Sequence, residues 1–349
     1  MQQKADSEIK YLFDVAPEPG AVQALLPGLT WVRVPLPFVL NHVNCWLLDD
    51  GDGSNGVTLI DTGADNSKTR DLWERVIAVT LADKRVSQLV CTHGHPDHVG
   101  LAGWLVDKCD VRLHMTLAEW LAPQVWRAEG QHPMSKYHKA FFRGHGLTDA
   151  ALSKMDKSRE VAPFRNYPLP SSFQRIRDGE TITFGGRDWE VLVCGGHAEE
   201  HASFYCKSDG ILIAGDQILS KISPVVGVFP SQPWSDPLAD YLLSLERLRE
   251  LPADTIVLPS HGLPFRGLHA RVDQLATHHA RRLDALWELM DAPKNGIALA
   301  HGLFPRAMAA EGQTVMALAE TLAHAHRLVA TGRATRSTAA DGRVTFERT

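Results

Sequence analysis

Seven residues constrain this chain more than any other stretch: Thr92-His93-Gly94-His95-Pro96-Asp97-His98. Four metal-ligating side chains fall within six positions, in the order His-x-His-x-Asp-His. Gly94 and Pro96 predict a tight loop rather than a helix or a strand. Imidazole suits zinc and similar ions, and a carboxylate adds charge and hard oxygen. So short a loop cannot aim all four side chains at one tetrahedral ion, which points to two neighbouring metals. The alternative is a His-rich loop with no metal, but such a cluster rarely arises by accident.

Further ligands should then follow downstream, and candidates do. Gly195-Gly196-His197 follows the apolar run Trp189-Glu190-Val191-Leu192-Val193-Cys194. Ala214-Gly215-Asp216 follows Gly210-Ile211-Leu212-Ile213, and Ser260-His261-Gly262 follows Thr255-Ile256-Val257-Leu258-Pro259. Each time an ionisable residue sits just past a short β-branched strand. Strand ends held in a sheet are rigid mounts for ligands.

This set resembles the metallo-β-lactamase superfamily of binuclear hydrolases over roughly residues 30–265. Leu59-Ile60-Asp61-Thr62-Gly63 matches that family's first strand-turn motif. The resemblance implies a first metal on His93, His95 and His197, a second on Asp97, His98 and His261, and Asp216 bridging both. It implies two divalent ions, zinc first and iron or manganese as alternatives, roughly 3.5 Å apart. Water between them would lose a proton near neutral pH and become a hydroxide nucleophile, oriented by Asp97. One metal would polarise the substrate's carbonyl or phosphoryl oxygen. The fold it implies is an α/β, αββα sandwich, and the βαβ rhythm of the chain agrees.

A chain of 349 residues is long for one domain. A catalytic domain is expected over 1–266 and a small C-terminal domain over 267–349. Hydrophobic residues at 44% and charged residues at 22% are ordinary for a soluble globular protein. The net charge of −5 gives no global reason to expect nucleic acid or an anionic membrane. The first eight residues are polar, and no stretch approaches a membrane span. Cys45, Cys91, Cys109, Cys194 and Cys206 are scattered and odd in number, against a disulfide framework. A cytoplasmic protein is expected.

Strands are expected at 31–35, 44–48 and 57–60, a helix at 65–81, the strand delivering the His loop at 87–91, and a helix at 100–109. The link 49–56 is a hairpin loop; it lacks the terminal Glu and flanking helices of a calcium loop. Residues 115–175 form a long insertion with Trp120, Trp126, Tyr137, Phe141, Phe142, His132, His138, Arg143, His145 and Arg165. It reads either as a lid or substrate wall, or as helices that only cover the sheet. Its aromatics and cations would suit an acyl or aromatic substrate carrying an anionic group. Its histidines read as lid or surface residues rather than a third metal site. His201 reads as packing against the strand 203–206, or else as a group that orients a ligand.

After His261 the expected pattern is a helix at 267–292, a short one at 297–304 and a longer one at 314–331. A hairpin about Asp341-Gly342 follows. This order resembles the winged-helix-like module on one branch of the superfamily, a branch that includes a mitochondrial single-strand endoribonuclease and fungal thioesterases. From Arg271 to Thr349 there are 10 basic and 8 acidic residues, with no basic cluster. That is weak support for phosphate binding. Packing against the active site or a homodimer is the expected role.

The leading expectation is a metal-dependent hydrolase of a small ester-like bond: a thioester, lactone or related acyl substrate. The alternative is a single-strand endoribonuclease using the same metals. Gln217 and its successors lack the Tyr of homoserine lactonases, and no export signal supports a β-lactamase. No glutathione clamp and no flavin domain are visible. A non-catalytic binding protein is disfavoured because all seven ligands are present.

Overall fold

The computed structural model describes residues 9–37, 40–51, 53–159, 168–310 and 312–349. Two seven-stranded sheets face each other. One runs β2 (Val22–Leu26), β3 (Leu29–Pro35), β4 (His42–Asp49), β5 (Gly56–Ile60), β6 (Arg85–Val90), β7 (Leu113–Met115) and β8 (Gln174–Arg175) in spatial order. The other runs β1 (Lys10–Tyr11), β14 (Phe265–Arg266), β13 (Ile256–Pro259), β12 (Ile211–Gly215), β11 (His201–Cys206), β10 (Arg187–Cys194) and β9 (Thr181–Phe184).

Strand periodicity sorts side chains into layers. Along β4, Val43, Cys45 and Leu47 face outward to a helical layer, with Leu72, Trp73 and Leu105 packed against them. Trp46 and Leu48, with Trp31 of neighbouring β3, face the other sheet, where Phe184, Trp189 and Phe204 complete the inner core. Phe184 and Trp189 stack at 5.0 Å. The expected αββα sandwich is therefore the observed one.

β5 pairs with β6, and β12 with β13, in parallel. Parallel neighbours need a crossover, and helices supply both. The helix Ser67–Arg75 begins where the Asn66 side chain accepts the Thr69 N–H at 3.0 Å, and it ends in a π-turn, Val76–Thr80. The expected helix at 65–81 is thus two pieces. The second crossover, Pro237–Arg249, starts with Pro at its first position and Asp236 accepting from Ala239 N–H. The sequence patterns named above predict no helix there.

The C-terminal helices are Leu268–Leu289, Gly296–Leu303, Pro305–Ala309 and Thr314–Ala330, followed by the hairpin β15 (Ala334–Thr338) and β16 (Val344–Arg348). Backbone bonds in both directions join Lys294 to Phe346. One apolar cluster runs from Ile218 and Tyr241 through Leu275 to Leu318, Leu322 and Phe346.

The described part of the insertion is three helices, Leu117–Gly130, Lys136–Gly144 and Asp149–Arg159. Phe142, Leu147 and Leu152 are buried in that same cluster, and His145 stacks on Phe346. Leu121 and Val125 of the first helix stay exposed. Arg165 lies outside the described residues. Among the described residues, no helix is long and apolar enough to cross a membrane, and the five cysteines are unpaired.

Candidate metal centre

β6 delivers the loop 91–98, β10 the turn carrying His197, β12 Asp216 and β13 His261. Ends of strands from both sheets therefore meet at one place. Pro96 opens the short helical turn Pro96–Val99, which swings Asp97 and His98 inward.

All seven candidates converge. Three groups have donor atoms within 4.8 Å of one another: His93, His95 and His197; Asp97, His98 and His261; and His93, His98 and Asp216. Asp216 faces both sides. Its Oδ1 lies 3.5 Å from His98 Nε2 and 3.3 Å from His261 Nε2, and its Oδ2 lies 3.4 Å from His197 Nε2. Asp97 Oδ2 is 3.5 Å from His261 Nε2 and 3.7 Å from His98 Nε2. None of His132, His138 and His145 joins such a group among the described residues.

Outward hydrogen bonds aim the rings. His261 Nδ1 donates to the His42 carbonyl at 2.7 Å and His197 Nδ1 to the Val225 carbonyl at 2.8 Å. Carbonyls only accept, so Nδ1 carries a proton and Nε2 is the atom that points inward. His98 Nδ1 meets Asp61 Oδ2 at 2.8 Å. His93 Nδ1 meets the Thr92 hydroxyl, which itself donates to Asp61. His95 is turned the other way, with Nδ1 only 2.9 Å from His93 Nε2. Its ring stacks on Trp126.

His98 Nε2, His197 Nε2 and Asp216 Oδ1 are buried without a hydrogen-bond partner. Buried polar atoms left so are costly unless something meets them. Divalent cations satisfy this donor set of imidazole and carboxylate.

The two sides differ electrostatically. Burial works against a charged His98, but Asp97, Asp216 and Asp61 outweigh it and raise its pKa well above the usual imidazole value. His261 is likewise raised to about 9, burial being outweighed by Asp216 and Asp97. Burial, followed by the imidazole of His197, lowers His95 to about 3. His93 is lowered well below the ordinary value by burial and then His98 and His95. Neighbouring carboxylates thus favour protons on His98 and His261, while burial disfavours them on His93 and His95.

The supporting roles of Glu119 and Asn44 escape the sequence reading, whereas His201 reads there as packing or as orienting a ligand. Glu119 is buried, and its two oxygens accept from Gly94 N–H at 2.8 Å and Glu200 N–H at 2.9 Å. It clamps the His93 loop to the loop after His197. In sequence it looks like an ordinary acid in a first helical turn, so no signal marked it. Asn44 donates to the carbonyls of Pro259 and Gly262 and holds the His261 turn. His201 is buried on β11, and its Nε2 accepts from Asp216 N–H at 3.1 Å. It therefore orients a candidate ligand as well as packing. Gly215, at φ +55°, has His201 where a Cβ would stand, so the turn into Asp216 requires glycine.

A family model described as Metallo-beta-lactamase superfamily matches residues 39–261, and one described as Metallo-beta-lactamase-like, C-terminal domain matches residues 283–349. A solved structure of a beta-lactamase domain protein from Burkholderia ambifaria superposes with a TM-score of 0.89 at 36% identity, covering 99% of this chain and 100% of that one. The probable metallo-hydrolase YqjP of Bacillus subtilis (strain 168) is 28% identical over 308 residues, 84% of this chain and 89% of its own. An atrochrysone carboxyl ACP thioesterase from Aspergillus fumigatus is 23% identical over 259 residues, 74% of this chain and 46% of its own. The chain therefore belongs to the metallo-β-lactamase superfamily and is a metallo-hydrolase.

Proposed function

We propose that the protein hydrolyses a small acyl substrate, a thioester, lactone or related ester, with two divalent ions held by His93, His95 and His197 on one side and Asp97, His98 and His261 on the other. The observation that carries this reading is Asp216, whose two oxygens face opposite groups at 3.3–3.5 Å. Zinc is the ion we expect, with iron or manganese as alternatives.

Bound there, two divalent cations supply Lewis acidity and bring the pKa of water toward neutrality. The chain's own groups do the rest. Asp97 is the most open carboxylate of the centre, its side chain 20% exposed, so it accepts a hydrogen bond from the attacking water and orients it. Glu119 keeps the two loops from separating. His201 and Gly215 hold Asp216 between the two groups.

An aromatic ring on His95 and exposed apolar residues on the segments that carry the centre's contacts favour an acyl substrate over a nucleic acid. Trp126 stacks on His95, and Leu121 and Val125 continue its helix as exposed apolar residues. Val225, whose carbonyl holds His197, is itself partly exposed. A relative named as a thioesterase supports the same class. The test is turnover by the metal-loaded protein on acyl-CoA thioesters, lactones, a β-lactam and single-stranded RNA, with Asp97→Ala as blank. Fast turnover of thioesters or lactones alone is expected. Cleavage of RNA alone would replace this reading with the endoribonuclease.

A further inference from the structure

His98 and His261 are tied to residues at strand ends, whereas His197 is tied to a strap. Residues 217–236 leave the end of β12 directly after Asp216 and return at the helix Pro237–Arg249. Within the strap, the Val225 carbonyl accepts the His197 Nδ1–H at 2.8 Å. Three residues later the strap is seated on the C-terminal helix: Val228 N–H donates to the Ala319 carbonyl at 3.0 Å. Val226 and Val228 are buried in the cluster that holds Leu318 and Leu322. Between them Gly227 lies flat on Ala319. A Cβ at Gly227 would stand 2.9 Å from the Ala319 Cβ and 3.1 Å from the Phe229 ring. The Phe229 ring is partly exposed and can turn aside; the helix cannot. The strap is fastened on both flanks as well. Buried Arg271 donates to the carbonyls of Leu219 and Ile222, and His326 donates to that of Ser235.

We propose that the helix Thr314–Ala330 positions His197, through the seating of Gly227 on Ala319 and the carbonyl of Val225. Gly227 and Ala319 are then positioning residues for the three-imidazole group. A ring that donates Nδ1–H to a fixed carbonyl keeps Nε2 bare and aimed. Shifting that carbonyl lets the ring rotate or change tautomer, and Nε2 loses its place 3.4 Å from Asp216 Oδ2. The inference rests on reading His197 as a metal ligand.

Gly227→Ala in the full-length chain tests it, with cobalt(II) and zinc(II) as probes. The variant should melt cooperatively near the parent temperature. It should retain one ion per chain after dialysis that leaves two on the parent, and show an altered visible spectrum with cobalt. Affinity for the lost ion should fall about 10–100-fold, the usual cost of disturbing a group behind a metal ligand. Adding Ala319→Gly removes the opposing Cβ and should restore both ions. Should Gly227→Ala not fold, Ala319→Ser makes a smaller push from the helix side and is read in the same way. Retention of both ions with parental affinity overturns the proposal, and so does a double variant no better than the single one. His197→Ala separates the two readings. If it keeps both ions, the ligand assignment itself fails; if it loses one while Gly227→Ala keeps two, only the strap's role fails.

Discussion

The two halves of the centre are built from different parts of the molecule. On the side of Asp97, His98 and His261, the two imidazoles lean on groups at the ends of sheet strands: His98 on Asp61 after β5 and His261 on His42 at the start of β4. His95 and His197 lean on additions to the sandwich, Trp126 in the insertion and Val225 in the strap. Carboxylates raise the pKa of His98 and His261 in the first half, whereas burial lowers that of His93 and His95 in the second. One half is thus held from the sheets themselves and the other from the segments packed around them.

The largest break of this contrast is Asp97→Ala. It should leave a folded protein with a weakened carboxylate-side ion and turnover lower by a factor on the order of 10³, comparable to losing a preorganised electrostatic contact. Steady-state kinetics beside a melting curve check it, and undiminished kcat would refute the role given to Asp97. Asp61→Asn keeps the shape behind His98 and removes the charge. Metal titration should show about 10–100-fold weaker binding on that side, with a smaller loss on the other through Thr92 and His93; equal weakening on both sides would erase the distinction.

The metal-free protein should carry the contrast in its pH dependence. His261 is raised to about 9, so its stabilising contribution is complete below the ordinary imidazole pKa and is lost as pH rises through 9. His95 is lowered to about 3, so the unfolded chain takes up its proton first and stability is lost as pH falls below the ordinary value. Melting temperature should therefore fall on both sides of roughly pH 6.5, the unperturbed imidazole value. Loading with zinc should flatten the alkaline limb, because the cation replaces the proton. A metal-free protein equally stable at pH 6.5 and pH 9 would contradict the carboxylate-side assignment. The smallest effect is expected from Trp126→Leu. Losing the stack on His95 should raise KM for an apolar thioester less than tenfold, within the ~0.5–1.5 kcal/mol of an aromatic pair, with metal content unchanged.

Much of the centre was legible in the chain. Donor types at strand ends, separated by β-branched runs and glycines, named all seven converging side chains. The C-terminal helices and hairpin also lay close to their expected limits. The insertion was readable as an insertion but not as two things at once: a first helix beside His95, and later helices fastened to Phe346. Periodicity shows which face is apolar, not what covers it. The helix Pro237–Arg249 was missed although Asp236 and Pro237 form a good start signal.

The sequence by itself determined which atoms can meet a metal, because that depends on residue type and on local turns held by Gly94, Pro96 and Gly215. Tertiary structure alone decided how those atoms are held. Glu119 reaches Glu200 across 81 positions, His261 reaches His42 across 219, and the Val225 carbonyl reaches His197 from 28 positions away. Such bonds form only once sheets and helices have packed, since the entropy of closing each loop is offset by the whole core rather than by the contact itself. No local pattern around any of these residues could announce its partner.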